Sequence, residues 1–222
     1  MVKMLSRIAG TLLLAAYLLQ PAVSSAITLG QIDTFQDGTT QNWSIGAPTT
    51  LTPVNVPAGG PAGDIDAFMQ LTAVGNGSPN VARRLSVINE VQWAGNYPAA
   101  GVNAVTMSVK NLGPTDLFLR LMVAVAAVPG FAPTDEAVST VPVFLPAGGG
   151  WTSASFPIAP ANLTATRGSL LTALTNAAEF RIIHNPNPTF PPPVVVAQLG
   201  VDNIHAVRGA PLPSLPLLLL DD

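Results

Sequence analysis

The sequence predicts an all-β protein, a single jelly-roll β-sandwich of about ten strands with at most one short helix. Three observations carry this. Proline and glycine number 22 and 19 of 222 residues and punctuate the chain at short intervals, which is how turns announce themselves. Charged residues make up 9% and hydrophobic residues 48%; disordered chains are apolar-poor and charged, so this balance indicates a packed core. Between the turn signals lie short runs that alternate apolar and polar residues or are rich in β-branched and aromatic ones.

Residues 1–26 place Lys3 and Arg7 ahead of a short apolar run and end in Ser24-Ser25-Ala26. This is the pattern of a secretory signal cleaved after Ala26, and the run is shorter than the roughly 20 residues of a membrane span. Residues 27–208 then form the sandwich, and 209–222 an apolar, proline-rich tail. An exported chain without cysteine has no disulfides, so its stability rests on core size with metal as a supplement. The net charge of −3 becomes more negative once Lys3 and Arg7 are removed, which does not suit nucleic acid.

Along the domain, Ile27-Thr28-Leu29 and residues 32–35 read as the first strand or a pair of short ones, followed by a turn that Trp43 anchors to the core. Residues 68–74 suit a strand. Residues 103–110 alternate most clearly, with Val105, Met107 and Val109 on one face and Thr106, Ser108 and Lys110 on the other. Residues 117–128 are apolar on both faces except Arg120, as in a strand covered on both sides or one with a single ligand-facing residue. Further strands are expected at 138–145, 152–158, 180–184 and 195–207, and the leucines of 169–178 have the spacing of one short helix.

If the first and last strands lie side by side, Ile32-Asp33-Thr34-Phe35 meets Val201-Asp202-Asn203-Ile204. Calcium takes six to eight oxygen ligands, and Asp202, an oxygen of Thr34, and Asp64 or Asp66 are candidates to share a structural ion. The alternative is that these acids serve turns and backbone amides. Gln92-Trp93-Ala94-Gly95-Asn96-Tyr97 sets two amphipathic rings among small and amide residues, which suits stacking on a sugar ring while amides bind its hydroxyls; equally, Trp93 is a core plug and Tyr97 caps a strand. Arg120, Arg181 and His184 are candidates to line one sheet face, Arg120 either pairing with Glu90 or Glu179 or reaching a groove. Catalytic patterns are weak: the only paired carboxylates are Asp135 with Glu136 and Glu90 with Glu179, and no nucleophile elbow, metalloprotease helix or phosphate loop is present.

The stretch Phe35-Gln36-Asp37-Gly38-Thr39-Thr40-Gln41-Asn42-Trp43, with Val201-Asp202-Asn203-Ile204, resembles the terminal signatures of jelly-roll carbohydrate-binding modules with a galactose-binding-like fold. The resemblance implies a calcium ion between first and last strands, ligated at Thr34 and Asp202, although Gln36 stands where many relatives carry an acid. The middle of the chain, together with Ala210-Pro211-Leu212-Pro213, resembles bacterial exported proteins of the PEP-CTERM sorting type, but the spanning helix and basic tail of that signal are replaced by four leucines and two aspartates. The expectation is a secreted, extracellular or cell-surface polysaccharide-binding module without catalytic residues, with Trp93, Asn96, Tyr97, Arg120, Arg181 and His184 contacting glycan. A structural protein of an exopolysaccharide matrix and a glycan-cleaving enzyme are the alternatives.

Overall fold

Backbone polar groups must be paired wherever they are buried, and in this chain antiparallel ladders do most of that pairing. The computed structural model describes residues 26–46, 51–76, 82–125 and 132–209; apart from Ala26 and Gly209, the expected signal and tail lie outside them. In chain order the strands are β1 (Ile32–Asp33), β2 (Val54–Val56), β3 (Phe68–Val74), β4 (Ser86–Asn89), β5 (Ala104–Asn111), β6 (Leu117–Ala124), β7 (Glu136–Ser139), β8 (Val143–Leu145), β9 (Thr152–Pro157), β10 (Leu163–Arg167), β11 (Glu179–His184) and β12 (Val196–Val207). Two short helices, α1 (Tyr97–Ala100) and α2 (Leu170–Thr175), join them.

The strands form two six-stranded sheets. The first runs β2-β3-β12-β5-β9 with β1 also paired to β12; the second runs β10-β7-β6-β11-β4 with β8 also paired to β6. This is the all-β jelly-roll sandwich. First and last strands do lie side by side, Asp33 opposite Ile204.

The alternation in β5 holds: Val105, Met107 and Val109 are buried between the sheets, while Thr106, Ser108 and Lys110 face outward. On β12 the inward series Ala197, Leu199, Val201 is interrupted by a bulge between Asp202 and His205, where Asn203 is left-handed (φ 52°), and resumes at Ile204 and Ala206. The extra residue shifts the inward set from odd to even positions, while Asp202, next after the inward Val201, faces outward opposite Ser108.

β6 is apolar on both faces because both are covered. Leu117, Leu119, Leu121 and Val123 enter the main core, whereas Met122 and Ala124, with Val138 and Ile183, form a second small core on the outer face under Phe190. The proline-rich loop 185–193 thus closes the outer face of the second sheet. Residues 138–145 divide into β7 and β8 rather than one strand, with Pro142, which has no N–H for a ladder, between them. The 169–178 helix is α2, capped by Ser169. The one-turn α1 was not anticipated; its signals are local, Asn96 accepting from the Ala99 N–H at 2.9 Å and Gly101 adopting the left-handed C-cap.

Candidate functional site

The aromatic loop expected to meet a sugar is instead tied into the core by a buried carboxylate. Asp33 Oδ2 accepts from Trp93 Nε1 at 2.7 Å, Trp43 Nε1 at 2.8 Å and Gln92 Nε2 at 3.1 Å. Burial pushes this carboxyl above its ordinary value, against the pull of those three donors. Trp93 and Tyr97 are 0% exposed and stack on Phe180 at centroid distances of 4.9 and 6.0 Å; the Tyr97 hydroxyl donates to the Trp93 carbonyl at 2.8 Å. Neither ring offers a face to a ligand, because two inward indoles and an inward phenol fill the space between the sheets. Asn96 spends its side-chain oxygen on the α1 cap.

Arg120 and Arg181 do share the outer face of the second sheet, Arg120 opposite Ile183 and Arg181 opposite Met122, while His184 falls on the alternate side. Among the described residues Arg120 pairs with no acid. It is 2% exposed and donates to four backbone carbonyls, of Asn185 (2.7 Å), Ser139 (2.6 Å), Thr140 (2.7 Å) and Pro186 (2.6 Å), so it fastens the proline-rich loop. Arg181 pairs with Glu179 at 2.9 Å and lies 5.4 Å from the Phe190 ring centroid. His184 Nδ1 accepts from the Phe118 N–H at 3.0 Å, and burial holds its pKa below the usual value. The three residues support the covering loop and β6 instead of lining an open groove.

At the closure of the domain, Asp202 is 0% exposed. Its Oδ2 accepts from Asn203 Nδ2 at 2.7 Å, and its Oδ1 is buried without a partner. Burial, and secondarily the charge of Asp66, push it up to about 6 despite the hydrogen bond from Asn203. The β1–β12 register carries Thr34 toward Asn203, and Gln36 Nε2 donates to Asp66 Oδ1 at 2.6 Å, linking the loop after β1 to the loop before β3. Asp64 is exposed. Among the described residues no three acidic, histidine or cysteine side chains converge, so a cation here would draw on hydroxyl and carbonyl oxygens as well. An orphaned buried carboxylate oxygen beside a second acid is a donor set that suits calcium.

The open surface is the outer face of the first sheet. Ser153 pairs with Ser108, which pairs with Asp202, and a groove of about 350 Å³ bounded by Ile32, Thr106, Ser108, Ser153, Asn203 and His205 runs across it. Two residues before Ser153, Trp151 crosses this face: it meets Phe68 edge-on at 5.2 Å between centroids and donates its Nε1–H to the Gly59 carbonyl at 2.9 Å. Gly200 makes this possible, since a Cβ there would lie 3.0 Å from the indole and 3.2 Å from Phe68. Trp151 stays partly exposed. Sequence reading passed over it; the available signals were a glycine inside the β12 pattern and the hydroxyl-bearing residues that follow the 148–150 glycine run.

The architecture is a jelly-roll β-sandwich, and solved structures share it. The solution structure of the carbohydrate-binding module CtCBM11 superposes with a TM-score of 0.53 at 14% identity, covering 83% of this chain and 98% of that one. The family 11 carbohydrate-binding module from Clostridium thermocellum, in complex with a β-1,3-1,4-mixed-linked tetrasaccharide, superposes with a TM-score of 0.50 at 14% identity, covering 82% and 99%. No protein-family model matches the chain, and no curated protein matches it in sequence. No helix among the described residues is long and apolar enough to cross a membrane.

Proposed function

We propose that this chain is a secreted, non-catalytic polysaccharide-binding module whose glycan surface is the outer face of the first sheet. The observation that carries the reading is the contrast between the two outer faces. The second sheet's is sealed by the loop that Arg120 and Phe190 hold down, whereas the first sheet's is open and hydroxyl-rich, and a partly exposed indole lies across it. Sugars are recognised by such a pairing of an aromatic surface with hydrogen-bonding side chains. The solved module with the same fold and a bound tetrasaccharide supports a glycan as the ligand class. A calcium ion held by Asp202 and Asp66 with an oxygen of Thr34 would be structural, supplying positive charge to a buried carboxylate and joining the two ends of the domain. Export follows the reading of residues 1–26.

Glycan cleavage is disfavoured by the engagement of the acids: Glu179 is paired with Arg181, Asp135 Oδ1 accepts from the Ser169 N–H at 2.7 Å, and the buried Glu136 bonds Thr166. The test is affinity electrophoresis of the domain through gels cast with mixed-linkage β-glucan, xylan, galactomannan or agarose. Retardation in one gel that Trp151→Ala abolishes, without change in the unfolding midpoint, is the expected result. No retardation in any gel would favour the matrix-protein alternative.

A further inference from the structure

Among the described residues, one sheet edge in this sandwich lacks a guard. An exposed edge strand offers unpaired N–H and C=O groups to other chains, and folds blunt it with short strands, prolines, charges, bulges or a covering segment. In the first sheet β2 has three residues between Pro53 and Pro57, and Asn55 ties it to the carbonyls of Phe35 and Thr39. In the second, β4 is bridged by Ser44 at Ile88, and β10 carries a register shift and the charge of Arg167. The side-paired strands β1 and β8 run for only two and three residues. The remaining edge is β9, six residues long, whose ladder partner is β5 alone.

The phase of that ladder shows which groups are left over. The Ile158 N–H bonds the Asn103 carbonyl, and Ala154 and Phe156 are 2% and 1% exposed, so even-numbered residues turn their peptide groups toward β5. By alternation the N–H and C=O of Ser153 and Ser155, and the Pro157 carbonyl, point away from the sheet. No hydrogen bond among the described residues takes them. Both serines are exposed, and β9 has neither a charge nor a bulge in its pairing with β5.

The geometry points to a second copy of this chain as the occupant: β9 pairs antiparallel with the same strand of the partner about a two-fold axis at Ala154, joining two first sheets into one. A strand on such an axis meets itself reversed, so a charge within it would lie near its own copy; residues 151–157 hold none. Outward peptide groups must face outward ones, so the axis passes through a residue. At Ala154 it sets Ser153 against the partner's Ser155 and Trp151 against the partner's Pro157, engaging more of the strand than an axis at Ser155 would. Proline lacks an N–H but still accepts. The assembly closes at two copies, because β2, short and flanked by prolines, does not extend the sheet further. With the axis perpendicular to the sheet, both outer faces look the same way and the two Ser153 grooves abut, which on a polymer gives avidity. That consequence rests on the proposed glycan role; the pairing itself does not.

The first test is sedimentation equilibrium of the protein without glycan, in which the weight-average mass is expected to rise with concentration to a dimer plateau and no further. Replacing both Ser153 and Ser155 by Lys sets like charges opposite one another across the axis and is expected to weaken the dimer by about tenfold or more. Circular dichroism melts of this variant, at concentrations where the parent is monomeric, are expected to match the parent because both side chains are exposed. Register is read by crosslinking, since the chain has no cysteine of its own. Mixing Ser153→Cys with Ser155→Cys chains brings their Cα atoms to about 5.5 Å, within disulfide reach, whereas two Ser153→Cys chains sit diagonally at about 7–8 Å. Oxidation is expected to link the mixture and to leave each variant alone unlinked. A parent that stays monomeric at millimolar concentration, a double-lysine variant that dimerises like the parent, or single variants that link as well as the mixture would overturn the pairing. Retardation of a strictly monomeric parent in a glycan gel would leave the glycan reading standing without it.

Discussion

Asp33 is the residue on which the interior depends most. One carboxylate oxygen receives two indole N–H groups and an amide from two separate parts of the chain, Trp43 and the adjacent Gln92 and Trp93, and leaving such buried donors unpaired costs about 1–3 kcal/mol each. Asp33→Ala is therefore expected to lower the unfolding free energy by about 3 kcal/mol or more, read from urea denaturation. Trp93→Ala opens a cavity in the same place and is expected to cost about 3–5 kcal/mol. A Trp93→Ala variant of parental stability and weakened glycan binding would return the indole to the ligand surface. The pairing with Trp151→Ala is informative because the two indoles occupy opposite situations, one 0% exposed between the sheets and the other lying on an outer face.

At the scale of the element, the proline-rich loop 185–193 decides which sheet is available. Four carbonyls converge on Arg120, and a planar guanidinium can serve them all where an ammonium cannot. Arg120→Lys and Arg120→Met are both expected to destabilise the fold by about 3–5 kcal/mol, as breaking a buried charged network does, and to speed proteolysis within the loop; proteolysis at the parental rate would show that the loop is held by Phe190 alone. His184, at the foot of the same loop, has its pKa lowered by burial, and its Nδ1 accepts the Phe118 N–H. Its folded pKa lies below the ordinary 6.5, so the unfolded chain takes up a proton first as the solution is acidified. The stability it contributes is present above pH 6.5 and is lost as pH falls toward the folded value. Replacing His184 by Asn is expected to flatten this part of the stability profile.

For the molecule as a whole, the closure at Asp202 sets a pH dependence of opposite sign. Its carboxyl rises from 3.8 to about 6 on folding, so the folded state binds the proton first, and stability increases as pH falls through that window. Above pH 6 the destabilisation is complete, and a bound cation would remove it. In chelator, Asp202→Asn is expected to match the parent near pH 3.8 and to melt at a higher temperature than the parent at pH 7. In excess calcium the order at pH 7 is expected to reverse. Melting temperatures of the parent that do not respond to calcium at pH 7 would remove the ion from the reading.

The alternation of residues 103–110, the turn-rich composition and the leucine spacing near 170 are local properties, and they determined the β class, strand β5 and helix α2 without further information. Pairing of Phe35 and Asp202 neighbourhoods was also legible, because a sandwich that places its termini together needs polar groups at the join. What only the tertiary structure decided was which aromatic rings stay in contact with water. Alternation assigns a side chain to one face or the other, but coverage of that face depends on partners remote in sequence: Trp93 is drawn inward by a carboxylate 60 residues away. Trp151 reaches the surface of the first sheet only because Gly200, on a different strand, leaves room for it. Burial is a property of packed layers, and one strand's pattern does not contain the loop that will lie over it.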